Sequence, residues 1–425
     1  MCVFFCTFAE NFNCTMAFSR TYYRVAEHLF AVECSDSALL SCMTNYLPFA
    51  VEINNNDNID NISRQSYGEA DRSNESEIRT PCRDKDMECE KHSTPIFTLR
   101  VEGHEAKGER QIGEEWTHVL TDNAEEDMPR IEVYRACLED GAERLQDASL
   151  SAPQKSADFS GTPLQDAETA IGRPEGLSVV GYRNGGWVFR VAMVANAPIC
   201  CEMECSEDFT EGVLHIAADC QDVRFCIDNA LMLLFAFRTA PLMTLEMHAA
   251  VVVRGSLEDA RGASYRTPSG LQDASLQDTT LQAKGYLFLG HSGTGKSTHA
   301  RQWLAAFEDA WLLNDDNPIL RVMEDGEVRV YGSPWSGKTP CYNNAYARVG
   351  GIVKLSQAPH NKMRILSLPE AYAYMLSSAS GLKMDRQMAD CMYESIKHVI
   401  THVKCYHLDC LPNTEAAEVA QRGMV

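Results

Sequence analysis

Residues 285–297 read Gly-Tyr-Leu-Phe-Leu-Gly-His-Ser-Gly-Thr-Gly-Lys-Ser, an apolar run followed by a glycine-rich loop. The loop matches the pattern Gly-x-x-x-x-Gly-Lys-Ser, which binds nucleotide phosphates when a buried strand precedes it and a helix follows it. The apolar run at 286–289 predicts a strand covered on both faces. The apolar residues after the loop have the spacing of one helix face: Ala300, Trp303, Leu304 and Phe307. Both conditions hold, so we expect a nucleotide site here.

Each residue type in this loop has a physical reason. Glycines permit unusual backbone angles and close approach of a ligand, and loop amides at a helix N-terminus attract anions. Lys296 is expected to contact the β- and γ-phosphates of ATP, and the Ser297 hydroxyl to bind Mg²⁺. The predicted nucleotide-binding residues are Gly290, His291, Ser292, Gly293, Thr294, Gly295, Lys296, Ser297 and Thr298.

Two adjacent carboxylates follow the next apolar run, Trp311–Asn314. Strand ends gather at one edge of a parallel sheet, so Asp315 and Asp316 are expected near the phosphates. One carboxylate would hold Mg²⁺ and the other would take the proton of an attacking hydroxyl. The sequence does not assign the two roles, so both residues are predicted as catalytic and, with Ser297, as metal ligands. Alternatively, one aspartate only begins a turn before Asn317-Pro318.

A hairpin, 319–323 with 328–331, leads into the loop Gly332–Pro340. Lys338 is predicted to contact the transferring phosphoryl group, and Trp335 to line the acceptor pocket. The alternative is a surface turn with a solvated lysine. Residues 341–344 are a weaker candidate extension of the site.

Three ordered pieces resemble the C-terminal domain of HPr kinase/phosphorylase and its relatives around ATP-type phosphoenolpyruvate carboxykinase. They are the strand 247–252 with His248, the loop Gly-His-Ser-Gly-Thr-Gly-Lys-Ser, and 312–316 with its aspartate pair. The resemblance covers roughly 225–410 without 256–284. It implies a P-loop kinase on a mixed sheet that uses ATP and Mg²⁺, with the aspartates as acid/base and metal ligand. For His248 the favoured interpretation from the sequence is a packed strand residue, with a site role as the alternative.

One signature of that family differs in this chain. HPr kinase carries Arg-Gly-Leu-Gly after the aspartates, whereas this chain has Gly332–Pro340 in the matching region. The sequence looks closer to a divergent, HPr-kinase-like group of bacterial proteins with varied acceptors. The expected partners are therefore ATP and an unidentified hydroxyl acceptor, which is a protein, a peptide or a metabolite. Two alternatives remain: a phosphoenolpyruvate-carboxykinase-like enzyme, or a non-catalytic nucleotide-binding regulator.

The predicted fold class is α/β: a P-loop kinase core of the HPr kinase/phosphoenolpyruvate carboxykinase type with a mixed sheet, plus an α+β N-terminal region with polar insertions. A helix is expected over 225–237 and a hairpin over 178–191. Four segments are predicted: a strand-rich segment 1–52, polar and acidic insertions 53–177, a strand-rich accessory part 178–224, and the P-loop domain 225–425 with an insertion at 256–284.

The formal net charge of −22 lies wholly in the first 284 residues. Such a chain is a poor partner for nucleic acid or anionic membrane surfaces. No membrane span and no signal peptide are expected, the predicted location is cytoplasmic, and a homo-oligomer is compatible with the sequence. The 17 cysteines lack paired Cys-x-x-Cys units and are expected to be free thiols; metal binding by Cys200, Cys201 and Cys205 is the less favoured alternative.

Overall fold

The computed structural model describes residues 19–34, 36–53, 94–102, 116–122, 129–136, 186–255, 283–337, 339–383 and 385–424. These residues form a mixed α/β structure built on two nine-stranded sheets. The first sheet is N-terminal and the second carries the glycine-rich loop.

The N-terminal sheet has the strand order β3-β1-β2-β4-β9-β8-β7-β6-β5. Its strands are β1 (Ser19–Val25), β2 (His28–Cys34), β3 (Ala50–Val51), β4 (Thr98–Glu102), β5 (Trp116–Asp122), β6 (Arg130–Ala136), β7 (Trp187–Ala192), β8 (Ile199–Cys205) and β9 (Glu211–Ile216). The helix α1 (Ser37–Leu40) and a 3-10 turn (Thr44–Phe49) follow β2, and the helix α2 (Val223–Thr239) follows β9.

The C-terminal sheet has the order β10-β14-β15-β16-β12-β11-β13, with β18 beside β16 and β17 beside β18. Its strands are β10 (Thr244–Glu246), β11 (Ala249–Arg254), β12 (Lys284–Leu289), β13 (Ala310–Asn314), β14 (Ile319–Val322), β15 (Val328–Tyr331), β16 (Tyr346–Gln357), β17 (Lys362–Ile365) and β18 (Cys405–Cys410). Its helices are α3 (Lys296–Ala306), α4 (Leu368–Ser378), α5 (Arg386–His402) and α6 (Thr414–Met424).

Helices cover both faces of the C-terminal sheet. On one face, Trp303 of α3 and Ala417 of α6 pack with Phe288 of β12. On the other, Met375 of α4 and Ile396 of α5 pack around residues such as Leu287. Consecutive residues of β12 therefore enter different cores, and this explains the continuous apolar run of the sequence.

The helix α2 forms where the sequence predicts one, but it packs on the N-terminal sheet rather than on the P-loop sheet. Ile227, Leu231 and Phe235 share a core with Leu99 and Phe189 of that sheet. The C-terminal sheet consequently begins at Thr244, not at 225. Within the described residues, 223–242 is also the helical stretch long and apolar enough to cross a membrane by composition. Its packing is that of a core helix.

Three strands, β4, β5 and β6, lie inside the range 53–177 that the sequence analysis assigned to insertions. The central strand β4 has only two inward apolar residues, Leu99 and Val101, between polar neighbours. It pairs in parallel with both β2 and β9, and these pairings come from distant segments that a local pattern does not reveal. The polar stretches 54–93 and 137–185 lie outside the described residues, as does most of the insertion at 256–284.

The second strand of the hairpin expected over 178–191 forms as β7, and both of its edges are occupied, by β6 on one side and by β8 on the other. Residues 178–182 themselves lie outside the described residues.

The sheet around the glycine-rich loop is mixed, as predicted, although the placement of the aspartates near the loop was inferred from the rule for parallel sheets. The strand β11 lies between β12 and β13 and is antiparallel to both. As a result β12 and β13 run in the same direction, and their C-terminal ends reach the same edge. The expected meeting of the loop and the aspartate pair therefore follows, though by a different topology.

Candidate active site

The glycine-rich loop joins β12 to α3 and has an open inner surface. Gly293 and Gly295 have φ angles of 76° and 105°, a region in which other residues are strained. A Cβ atom placed on either glycine would find no heavy atom within 4 Å. Gly295 is the N-cap of α3, and no side chain caps the first amides of that helix. The loop thus offers space and free amide donors to an anion.

The end of β16 supports this loop from the side. The Gln357 side-chain amide donates to the backbone oxygens of Gly293 at 3.2 Å and Thr294 at 3.4 Å. Within the loop, the Thr294 amide donates to the oxygen of His291 at 3.2 Å. The loop conformation is thereby fixed by contacts outside the motif itself.

Lys296, His248 and Asp316 lie in a row. The Lys296 amine donates to the Gly290 oxygen at 2.9 Å and lies 2.8 Å from Nε2 of His248. The same Nε2 lies 3.4 Å from Oδ1 of Asp316. Burial lowers the pKa of the Lys296 amine, and the negative charge of Asp316 opposes this shift. Of the two interpretations of His248, a site residue is therefore favoured.

Asp315 is buried and serves as the anchor of the Gly332–Pro340 loop. Its Oδ1 accepts from the Ser336 hydroxyl at 2.7 Å and the Gly337 amide at 2.9 Å, and its Oδ2 accepts from the Thr339 amide at 3.1 Å. Only 3% of Asp315 is exposed. Both carboxylate oxygens are thus engaged by one loop.

Asp316 has a different environment, with about a third of its side chain exposed. The Asn317 side-chain amide donates to its Oδ2 at 3.3 Å, and Nε2 of His248 lies 3.4 Å from its Oδ1. Burial raises the pKa of Asp316, Lys296 lowers it, and the neighbouring Asp315 raises it again. Asp316 is consequently the carboxylate with capacity left for a proton or a cation.

Asn314, the last residue of β13, positions both aspartates. Its Oδ1 accepts from the amides of Asp316 at 2.9 Å and Asn317 at 2.8 Å. Its Nδ2 donates to the Ser333 hydroxyl at 3.1 Å and the Trp335 oxygen at 2.9 Å. One buried amide therefore holds the turn after β13 and the loop after β15 together.

Lys338 lies outside the described residues, so its predicted role stays a prediction. The prediction for Trp335 is wrong. Its side chain is 2% exposed, packs edge-to-face on Phe235 of α2, and donates from Nε1 to the Tyr46 hydroxyl at 2.7 Å. The indole points inward because the core of the N-terminal sheet and α2 supplies an apolar surface there. The residues of that core are distant in the sequence, so the sequence does not show this contact.

Residues 341–344 connect the site to the N-terminal half. The Tyr342 hydroxyl accepts from Arg224 of α2 at 2.7 Å, and Asn344 donates to the Pro48 oxygen at 2.9 Å. Asn343 donates to the Leu312 oxygen of β13 at 2.9 Å. These contacts support the site without adding a group that faces the loop.

Sequence reasoning missed several residues beside the loop. A small cavity is lined by His248, Gly290, His291, Lys354, Ser377 and Ser378. Burial lowers the pKa of Lys354, a second amine close enough to Lys296 to affect its charge. A lysine inside the apolar strand Ile352–Leu355 was the signal that could have identified it. Ser377 and Ser378 at the end of α4 carry no such signal.

The residues present fit a magnesium nucleotide. Hard carboxylate and hydroxyl oxygens are the ligands that Mg²⁺ prefers, and Ser297 and Asp316 supply them, whereas both oxygens of Asp315 already accept hydrogen bonds from its loop. Ser297 opens α3 directly after Lys296, and Asp316 follows the end of β13, which is separated from β12 by β11. Two amines, Lys296 and Lys354, would offset the charge of a polyphosphate.

No protein-family model matches the chain, and a search of curated proteins found no match either. The interpretation of the site therefore rests on its own geometry.

Proposed function

We propose that this protein is an ATP- and Mg²⁺-dependent kinase that transfers the γ-phosphoryl group of ATP to a hydroxyl of a protein, peptide or small molecule. The observation that carries the proposal is the row of Lys296, His248 and Asp316, with 2.8 Å and 3.4 Å between neighbouring polar atoms. It connects a phosphate-binding lysine to a carboxylate that can accept a proton.

The binding step uses the loop and its flanking amines. The amides at the start of α3 would hold the phosphates, with the open face over Gly293 and Gly295 admitting them. Lys296 would release the Gly290 oxygen and contact the β- and γ-phosphates. Ser297 and Asp316 would hold Mg²⁺, directly or through water, and the ion would supply charge neutralisation at the phosphates.

The proton-transfer step is assigned to Asp316. Asp315 is unsuited because it is buried and accepts three hydrogen bonds from its loop. Asp316 is partly exposed, and its raised pKa makes it a better proton acceptor than an ordinary aspartate. Nε2 of His248 accepts from Lys296 when it is unprotonated and donates to Asp316 when it carries the proton, so His248 would position one of the two groups at a time. The resemblance to the HPr kinase group in the strand, loop and aspartate pair supports the same reaction class.

The test separates nucleotide binding from turnover. Wild type, Lys296→Met and Asp316→Asn would be compared by titration with a fluorescent ATP analogue and by ATP hydrolysis with Mg²⁺. We expect Lys296→Met to weaken binding by about tenfold or more, equivalent to ~1.4 kcal/mol. Asp316→Asn should bind nucleotide in the absence of Mg²⁺ as wild type does and lose turnover by about a hundredfold.

The acceptor would be sought with ATP radiolabelled on its γ-phosphate, added with the enzyme to cell extract. A labelled product that requires Asp316 supports the kinase. If wild type binds ATP but neither hydrolysis nor labelling depends on Asp316, the kinase proposal fails and the nucleotide-binding regulator takes its place.

A further inference from the structure

Three cysteines meet where β8 approaches the start of α2. The Sγ atoms of Cys200, Cys220 and Cys226 all lie within 4.8 Å of one another. Those of Cys220 and Cys226 are 3.5 Å apart. This cluster lies in the N-terminal sheet, apart from the residues of the proposed active site.

A β-bulge in β8 sets the position of Cys200. Val191 of β7 pairs with Cys201, and Ala192 pairs with Ile199, so Cys200 has no residue opposite it. Successive side chains of a regular strand point to opposite faces, whereas a bulge re-aims the extra residue. The Cys200 thiol donates to the Val191 oxygen at 3.2 Å, across the bulge.

The other two thiols are held by a fixed helix start. Asp222 caps α2 by accepting from the Phe225 amide at 2.9 Å, and this sets the position of Cys226 in the first turn. The Cys220 amide donates to the Ala217 oxygen at 3.0 Å in the preceding turn. Each sulfur is therefore carried by backbone that has its own hydrogen bonds, which is the condition for a preorganised ligand set.

We propose that Cys200, Cys220 and Cys226 bind a thiophilic metal ion of the Zn²⁺ class, with a water as fourth ligand. A Zn–S bond of about 2.3 Å in a tetrahedron places sulfurs ~3.8 Å apart, close to the spacing seen here. Cys200 and Cys226 are buried while Cys220 is half-buried, so an ion has a route in and is then enclosed. A closed, sulfur-rich site is typical of a structural metal.

The consequence is a clamp between β8 and α2. Asp228, two residues beyond Cys226 in α2, accepts from the Tyr46 hydroxyl at 2.7 Å. An ion that binds the folded protein but not the unfolded chain would raise the free energy of unfolding. The clamp would thus hold α2, the helix against which Trp335 of the Gly332–Pro340 loop packs.

The experiment uses the full chain, expressed with a histidine-free tag, reduced, and freed of metal by chelator. Co²⁺ is added anaerobically as a probe, because its spectrum reports thiolate ligation and tetrahedral geometry. We expect wild type to bind one Co²⁺ per chain with an intense thiolate-to-cobalt band, which one equivalent of Zn²⁺ displaces. Cys220→Ser and Cys226→Ser should each bind at least tenfold more weakly.

Cys205→Ser is the matched control, because Cys205 is also a buried thiol of β8 but is not in the cluster. It should bind Co²⁺ as wild type does. The wild-type spectrum tests the proposal even if a cluster variant fails to fold. Absence of the thiolate band in wild type, or equal affinity in wild type and both cluster variants, would overturn the metal site. So would a Cys220–Cys226 disulfide that persists in the reduced protein and excludes Co²⁺.

Discussion

The indole nitrogen of Trp335 donates to the hydroxyl of Tyr46 at 2.7 Å, and that hydroxyl donates to Asp228 at 2.7 Å. Asn45 strengthens this connection by donating to the Pro334 oxygen at 2.9 Å and to Asp228 at 3.2 Å. The chain of contacts runs from the loop that anchors Asp315 to the helix α2. The N-terminal half is therefore part of the support of the candidate site.

Replacing Trp335 by Phe removes the indole donor and leaves a small void between the two sheets. We expect the free energy of unfolding to fall by about 1–3 kcal/mol, from the lost hydrogen bond and reduced packing. Turnover should fall because the loop carrying Ser336 and Gly337 loses its support, while the nucleotide dissociation constant stays near the wild-type value. Urea denaturation and nucleotide titration measure the two effects.

Trp311→Phe is the control, since its indole donates to the Gly255 oxygen at 3.0 Å at the opposite end of β13. It should cost stability without lowering turnover. Equal loss of turnover in both variants would show that the Trp335 contact has no special connection to the site.

We expect substitution of Asp315 to lower stability, and substitution of Asp316 to lower turnover. In Asp315→Asn, an NH₂ group replaces one of the two accepting oxygens, so at least one of the three hydrogen bonds is lost. We expect the free energy of unfolding to fall by roughly 1–3 kcal/mol. Asp316→Asn should leave stability unchanged or slightly raised, because burial already disfavours the charge of Asp316. Thermal denaturation of both variants checks the difference.

The kinase assignment predicts that turnover falls much more in Asp316→Asn than its stability does. If Asp316→Asn is the less stable variant and Asp315→Asn the less active one, the assignment of the base to Asp316 is reversed.

The parts of this structure set by local patterns could be predicted from the sequence. The strand before the loop, the helix α3 and the helix α2 each follow from a run of apolar residues with its own period. Trp335 could not be placed, because its partners Tyr46 and Phe235 are about 290 and 100 residues away in the chain. Such contacts depend on how the two sheets pack, and no local pattern encodes this.

The cysteine cluster could not be predicted from the sequence either. The spacing of Cys200, Cys220 and Cys226 has no metal-ligand signature, and the bulge that brings them together is a pairing irregularity between β7 and β8. The burial of Glu246 could not be predicted from the sequence for a related reason. A carboxylate after the apolar Leu245 is typical of the end of a strand, and the burial of Glu246 depends on the packing of β10.

Gln357→Glu should weaken nucleotide binding several-fold. The change keeps the size of the side chain but replaces the amide that donates to the Gly293 and Thr294 oxygens by a carboxylate. The new charge repels both those oxygens and the phosphates of the ligand. Titration with a fluorescent ATP analogue at low and high salt measures the effect, which should shrink as salt screens the charge.

The matched control is Gln302→Glu on the exposed side of α3, where the side chain donates to the Pro412 oxygen at 3.4 Å. It adds the same charge away from the loop and should leave the affinity nearly unchanged. Equal weakening by both variants would mean that only net charge matters and that Gln357 does not shape the loop.

Glu246 should make the protein less stable as pH rises. It is 1% exposed, and its carboxyl oxygens have no hydrogen-bond partner among the described residues. Burial, with a contribution from the charge of Asp316, raises the pKa of Glu246 from 4.5 to about 8. Above pH 4.5 the unfolded chain releases this proton while the folded protein keeps it, so unfolding becomes easier by up to ~1.4 kcal/mol per pH unit until about pH 8. Glu246→Gln removes the titrating group and should be the more stable protein near pH 8, by a few kcal/mol, with the advantage vanishing near pH 4.5.

Urea denaturation across that pH range measures the slope, and Glu370→Gln is the control. The Arg364 guanidinium and the Ser367 amide lower the pKa of Glu370 to about 2, so its stabilising contribution is lost only as pH falls below its unfolded value of 4.5. The difference between Glu370→Gln and wild type should therefore stay constant between pH 4.5 and about 8, while that for Glu246→Gln grows. A difference for Glu246→Gln that does not change with pH would mean that the buried carboxyl is ionised in the folded protein.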